Sequence, residues 1–213
     1  MDMKFRKSLL RISNQLSRQD LELLKFFCEN DVPRARMERV RSGTDLFNAL
    51  EERGKLSARN LSFLVNILGS INRGQLIDSC LRDEGFVIPP STLQVAGTRG
   101  PVGGQNLQYM FTECLVKIAQ GLQSKEVNDL VYIFQPNLQV SPDSVFSATH
   151  LFTLLQQRQI LTPRDMRTLH DGLCQVNRND LANLINEFLE KTGQPQYRSN
   201  GQGKFIACLC VVC

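Results

Sequence analysis

A chain of 213 residues, 42% hydrophobic and 22% charged, holds enough apolar material for two cores of roughly 80 to 90 residues each, with no need of a disulfide or metal framework. It contains no run of about 18 apolar residues, and Met1-Asp2-Met3-Lys4 does not open a secretory signal, so the expected setting is the cytoplasm, with the seven cysteines reduced. The net charge of +4 is modest and has little aromatic interleaving, which argues against nucleic acid as a partner.

From the N-terminus, apolar residues recur at three- and four-residue intervals, as in Leu21, Leu24, Phe27, Cys28 and again Leu61, Leu64, Val65, Leu68. That is helical spacing, and no alternating stretch reads as a strand. Breaks at Ser17, Asp31-Val32-Pro33, Ser42-Gly43, Gly54 and Ile71-Asn72 divide residues 4–84 into about six short helices. Arg34, Arg36, Arg39 and Arg41 form a basic run, read as a solvated face or a surface meeting an acidic unit. Ser57 precedes one helix as a hydroxyl cap, and Thr162-Pro163 precedes its later counterpart with proline at the first helical position.

Residues 88–106 contain Pro89-Pro90, Gly97, Gly100-Pro101 and Gly103-Gly104, a composition that suits a flexible connector. The pattern then begins again at an offset of about 105 residues. Leu9-Leu10-Arg11-Ile12, Leu16, Asp20-Leu21 and Leu24 return as Leu115-Val116-Lys117-Ile118, Leu122, Glu126-Val127 and Leu130. Likewise Leu46-Phe47, Leu50, Arg53 and Leu56 return as Leu151-Phe152, Leu155, Arg158 and Leu161, and Asn72-Arg73-Gly74-Gln75-Leu76 as Asn177-Arg178-Asn179-Asp180-Leu181. Matched polar positions in a duplicated unit suggest an interaction module. Charge divides unevenly between the copies, with 15 basic against 12 acidic residues in 1–90 and 6 against 9 in 107–190.

After about Lys191 a glycine- and proline-marked tail, 191–213, ends in Cys208-Leu-Cys210-Val-Val-Cys213. The last four residues have the outline of a prenylation box on Cys210, with Cys208 as a palmitoylation candidate; weak metal binding and a functionless tail are the alternatives. Membrane contact is therefore expected only indirectly or through a lipidated tail. No catalytic residue, cofactor or metal site is expected. His170 and Cys174 stand four apart on a helix without supporting groups, a caspase Gln-Ala-Cys-x-Gly pentapeptide and a phosphate-binding loop are absent from the sequence, and too few residues follow the second copy for a protease domain.

Asp20-Leu-Glu-Leu-Leu-Lys25-Phe-Phe-Cys28, Glu38-Arg-Val-Arg-Ser-Gly-Thr-Asp-Leu-Phe47 and Asn60-Leu-Ser-Phe-Leu64 resemble a death effector domain, over roughly 4–84 and, in pattern, 107–190. Similar tandem proteins are the initiator-caspase prodomains, with the death-receptor adaptor and the FLICE-inhibitory proteins as further relatives. The resemblance implies an all-α fold of two six-helix antiparallel bundles of death-fold type joined by a flexible linker: domain 1 over 1–87, linker 88–106, domain 2 over 107–190 and tail 191–213.

It also implies a polar triad, an acidic residue early in the second helix with an Arg-x-Asp-Leu motif near the last. The second copy carries it as Glu126, Arg178 and Asp180; the first has Asp20 and Arg73, but Gln75 in place of the motif aspartate. Ser17-Arg-Gln-Asp20 also reads as a capping-box variant, in which Asp20 steadies a helix start. The family's hydrophobic pair falls on Phe26-Phe27 and Tyr132-Ile133. Phe27 and Ile133 are expected in the core, and Phe26 and Tyr132 partly exposed for partner contact.

The implied function is non-catalytic: an adaptor or regulator of death-receptor apoptosis that binds adaptor and initiator-caspase prodomains by homotypic contacts, with homo-oligomers or filaments in view. The alternative is a truncated isoform or prodomain of an initiator-caspase zymogen.

Overall fold

Eleven α-helices and no strand make up the residues described by the computed structural model, 3–87, 104–138, 145 and 147–197. In the first copy they are α1 Met3–Gln15, α2 Arg18–Phe27, α3 Arg34–Met37, α4 Gly43–Glu52, α5 Ser62–Ser70 and α6 Gln75–Ile77, which continues as a π-helical turn over Asp78–Arg82. In the second they are α7 Gly104–Gly121, α8 Ser124–Leu138, α9 Ala148–Gln157, α10 Arg167–Gln175 and α11 Asn179–Lys191. The segment matching α3 falls among residues outside that description, as do 88–103 of the expected connector. Helix α7 begins at Gly104, inside the stretch expected to be linker.

The repeat in sequence becomes a repeat in core. Ile12 and Ile118, Leu24 and Leu130, Leu46 and Leu151, Phe47 and Phe152, Leu50 and Leu155, Leu64 and Leu169, and Leu68 and Leu173 are all sealed from solvent. Each such side chain contributes roughly 1.5–3 kcal/mol relative to exposure. The starts of α2, α4 and α9 are fixed by serine hydroxyls. Ser17 and Ser42 form full capping boxes with Asp20 and Asp45, and Ser147 accepts the His150 N–H.

Helix ends repeat too. Asn72 and Asn177 follow α5 and α10 with φ of 59° and 60°, left-handed values that asparagine tolerates better than most residues. Each completes a Schellman closure, in which the next residue's N–H turns back to a helix carbonyl: Arg73 to Leu68 and Arg178 to Leu173, both at 2.8 Å. The closure launches the arginine across the bundle end.

Ser57 and Thr162 do not cap helices, since those helices begin at Ser62 and Arg167. Their hydroxyls accept the N–H three residues on, Asn60 at 3.1 Å and Asp165 at 3.0 Å, as a cap would. Reciprocal backbone bonds between the same residues, Ser57 with Asn60 and Thr162 with Asp165, close a turn at that point instead of a helix.

The two bundles pack on each other, with α2 against α7 and α9 and with α5 against α7. The joint is aromatic. Phe26 meets Phe152 with ring centroids 6.5 Å apart, and Phe27 meets Tyr109 at 5.1 Å. Ser70 and Tyr109 share a hydroxyl hydrogen bond of 3.2 Å, Thr153 donates to Glu29 at 3.0 Å, and Asn72 to Gln120 at 3.3 Å.

Candidate protein-interaction site

Two triad regions and one pair of helix faces hold the residues singled out by sequence. In the first copy Asp20 sits at the third position of α2, 6% exposed, and both expected roles coexist. It accepts the Ser17 N–H and hydroxyl at 2.9 and 2.7 Å, and Arg73 grips the same carboxylate through Nε at 3.0 Å and a terminal nitrogen at 2.8 Å. Burial pushes this carboxyl up, but the Arg73 and Ser17 hydrogen bonds and the arginine charge outweigh it and leave the pKa below the ordinary value. Gln75 is exposed and makes no bond to Arg73, so a pair stands where a triad would.

The second copy closes the full set. Arg178 donates through Nε and one terminal nitrogen to both oxygens of Asp180, at 2.8 and 2.7 Å. Its other terminal nitrogen reaches Glu126 at 2.7 Å and the Gly121 carbonyl at 2.6 Å. Glu126 in turn accepts the Gln123 N–H at 2.7 Å, holding the start of α8 without a hydroxyl cap. The Arg178 hydrogen bond brings the Asp180 pKa down to about 2, and the two carboxylates push the guanidinium up.

Gly121 belongs to this site although its sequence position carries no family signal. A Cβ there would lie 2.6 Å from a Leu181 methyl and 3.5 Å from an Arg178 terminal nitrogen, so a side chain would displace the Leu181 tip beside the arginine. Asn72 and Asn177 are likewise legible only as repeat members; their left-handed φ is what aims each arginine.

The helix faces diverge. Phe26, expected partly exposed, is 5% exposed, and Phe27 is 4% exposed. The expectation for Phe26 fails because the α2 face that would be open in a lone bundle is covered by Phe152 of the second bundle. Tyr132, at the matching place on α8, is 77% exposed, and Ile133 is half-buried against the core. In the basic run, Arg34 and Arg36 are committed to Glu38 at 3.2 Å and Glu52 at 2.9 Å.

Three described thiols, Cys28, Cys114 and Cys174, lack the chemistry of a nucleophile. Burial pushes Cys114 up to about 12 and raises Cys28 and Cys174, the opposite of the lowered pKa that makes a reactive thiolate. No cluster of three or more His, Cys, Asp or Glu able to hold a metal occurs among the described residues. Cys208 and Cys210 lie outside them.

Comparison with known proteins places this geometry. The family model for the death effector domain matches residues 5–82 and 111–191. Caspase-8 of Mus musculus is 27% identical over 188 residues, covering 85% of this chain and 36% of the caspase. FAS-associated death domain protein of the same species is 39% identical over 100 residues, covering 47% of this chain and 44% of that protein. The chain thus spans about a third of the length of the caspase relative it matches. In fold it superposes on the viral FLIP MC159 with a TM-score of 0.62 at 21% identity, covering 88% of this chain and 97% of that one.

Proposed function

This chain belongs to the death effector domain family, with two copies in tandem, and from that premise we propose that it is a non-catalytic regulator of death-receptor apoptosis, acting in the cytoplasm by homotypic contact with the death effector domains of adaptors and initiator caspases. No helix among the described residues is long and apolar enough to cross a membrane.

The observation that carries the reading is Tyr132, 77% exposed on α8 while its counterpart Phe26 is buried in the joint. An exposed aromatic with a polar tip is the residue type that anchors interfaces, where truncation costs roughly 2 kcal/mol or more. Asp129 lies one turn before it. On the first bundle α1 exposes Met3 and Leu10, 85% and 50%, with Lys7 between them. An acid-flanked anchor on one bundle and a lysine-flanked apolar strip on the other suit head-to-tail contact between death effector domains, the open-ended geometry that builds chains of copies. Tyr109, Phe27 and Phe26 join the bundles that carry these two surfaces. The protein's role is then to compete with caspase prodomains for such chains or to cap them.

Co-precipitation with adaptor and caspase prodomains tests this, with wild type beside Tyr132→Ala, Phe26→Ala and Arg178→Ala and helicity checked for each. Tyr132→Ala is expected to lose binding with its helix content intact. Wild-type protein that is folded and binds no death effector domain would sink the function, and unimpaired Tyr132→Ala would sink the α8 face. The coverage of only 36% of the caspase favours a second reading, the prodomain part of a cysteine-protease zymogen. A transcript continuing into a caspase domain would select it.

A further inference from the structure

Residues 192–197 follow α11 and lie beyond the matched family segment, which ends at 191. Sequence composition reads them as loose, yet they are clasped onto the second bundle. Gln194 donates its amide to the Pro163 carbonyl at 3.0 Å, in the turn between α9 and α10. Asn186 of α11 reads both sides of the Tyr197 backbone, accepting its N–H at 2.8 Å and donating to its carbonyl at 3.1 Å. The phenol oxygen accepts the Met166 N–H at 3.1 Å, close to the Asp165 carboxylate; burial and that carboxylate's charge raise the phenol pKa. The ring stands edge-on to the buried His170 with centroids 5.4 Å apart.

This is how an extended peptide is captured: one side-chain amide pairs with the main chain, and two further contacts read identity at fixed spacing. The fold does not require it. The first bundle closes its own C-terminal end by apolar contact, Phe86 against Phe5 at 6.0 Å.

We propose that the groove between the α9–α10 turn and α11 of the second bundle is a recognition site for an extended Gln-x-x-Tyr peptide, held shut by the chain's own Gln194–Tyr197. The ligand is a segment with an unmodified tyrosine. A phosphate on the phenol would set a dianion beside the Asp165 carboxylate. A tether of a few residues gives the resident segment an effective concentration on the order of millimolar, so an external peptide enters only when the clasp is weakened. The site is separate from the homotypic surfaces and stands or falls independently of them.

The test uses the full chain carrying Gln194→Ala and Tyr197→Ala together, and a fluorescent peptide of residues 192–198. The double variant is expected to bind that peptide at least about tenfold more tightly than wild type, and to discriminate at least about tenfold against versions with phosphotyrosine or with alanine for tyrosine. A folded double variant that does not bind, or that binds the phosphotyrosine version equally, overturns the site. Should the double variant not fold, hydrogen exchange on Tyr197→Phe replaces it. The Met166 amide, deprived of its acceptor, is expected to exchange at least about tenfold faster while the α10 interior is unchanged. An unprotected Met166 amide in wild type overturns the proposal.

Discussion

Helices α2 and α8 occupy the same place in their bundles and have opposite fates. On α2 the outward aromatic, Phe26, is turned into a joint by Phe152 of the second bundle; on α8 the matching Tyr132 stands in solvent. The difference lies less in the helices than in their neighbours, since only the first bundle has a sibling lying against that face. Duplication thus consumes one copy of the face internally and leaves the other exposed. The sharpest way to break this contrast is to truncate both. Phe26→Ala removes a buried ring from the joint and is expected to cost about 3 kcal/mol by urea denaturation, whereas Tyr132→Ala should fall within about 0.5 kcal/mol of wild type. Equal losses would mean that the two faces are not differently used.

The triads carry the same contrast in polar form. Arg178, its side chain 20% exposed, answers two carboxylates and a carbonyl, whereas Arg73, 36% exposed, answers one carboxylate that Ser17 also serves. Arg178→Ala strands Glu126 and the Gly121 carbonyl and is expected to cost about 2 kcal/mol. Arg73→Ala leaves Asp20 its Ser17 bonds and should cost about half as much once solvent screening is allowed for. Acid sharpens the test. With a folded pKa of about 2 for Asp180, below the unfolded carboxylate value of about 3.9, the pair adds stability above that unfolded value and loses it as the pH falls toward 2. The urea midpoint of Arg178→Ala should therefore fall less steeply than wild type between about pH 4 and pH 2. Parallel slopes would detach Asp180 from Arg178.

Helix content and the duplication were legible in sequence because they depend on spacing within one bundle, and the arginine–carboxylate pairings were legible through the family resemblance. The fate of Phe26 was not, since periodicity registers which residues face inward on a helix but not that a second bundle will cover the outward side. Gly121 was equally silent, because a close approach of Leu181 leaves no periodic trace. The clasp at Gln194 and Tyr197 was hidden for another reason: a segment rich in Gly, Pro and Gln reads as loose by composition, and its order comes from Asn186 on the preceding helix and from Pro163 and Met166, farther back in the chain.

A smaller contrast lies where α4 and α9 end. Gly54 has φ of 68° and Gln159 has 59° at the same step, each followed by an N–H bonded back to the helix at 2.9 Å, from Lys55 to Leu50 and from Ile160 to Leu155. Glycine takes that conformation at no steric cost and glutamine does not. Gln159→Gly is expected to raise stability by about 1 kcal/mol, measured as a shift of the urea midpoint with unchanged slope. No gain would show that the second bundle already relieves the strain through Gln159 contacts.

The smallest expected effect restores the missing acid. Gln75→Asp places a carboxylate two residues after Arg73, the spacing at which Asp180 chelates Arg178, and also at the first position of α6, where the helix dipole favours negative charge. Both contributions stabilise by a few tenths of a kcal/mol at an exposed site, so the single variant cannot separate them. Repeating it in the Arg73→Ala background does, because the dipole effect survives there and the pairing does not. If the first bundle differs from the second only by this one residue, most of the gain should vanish with Arg73. A gain that persists undiminished would mean that Arg73, already bound across the Asp20 carboxylate, has no geometry left to share, and that the first copy is built around a pair.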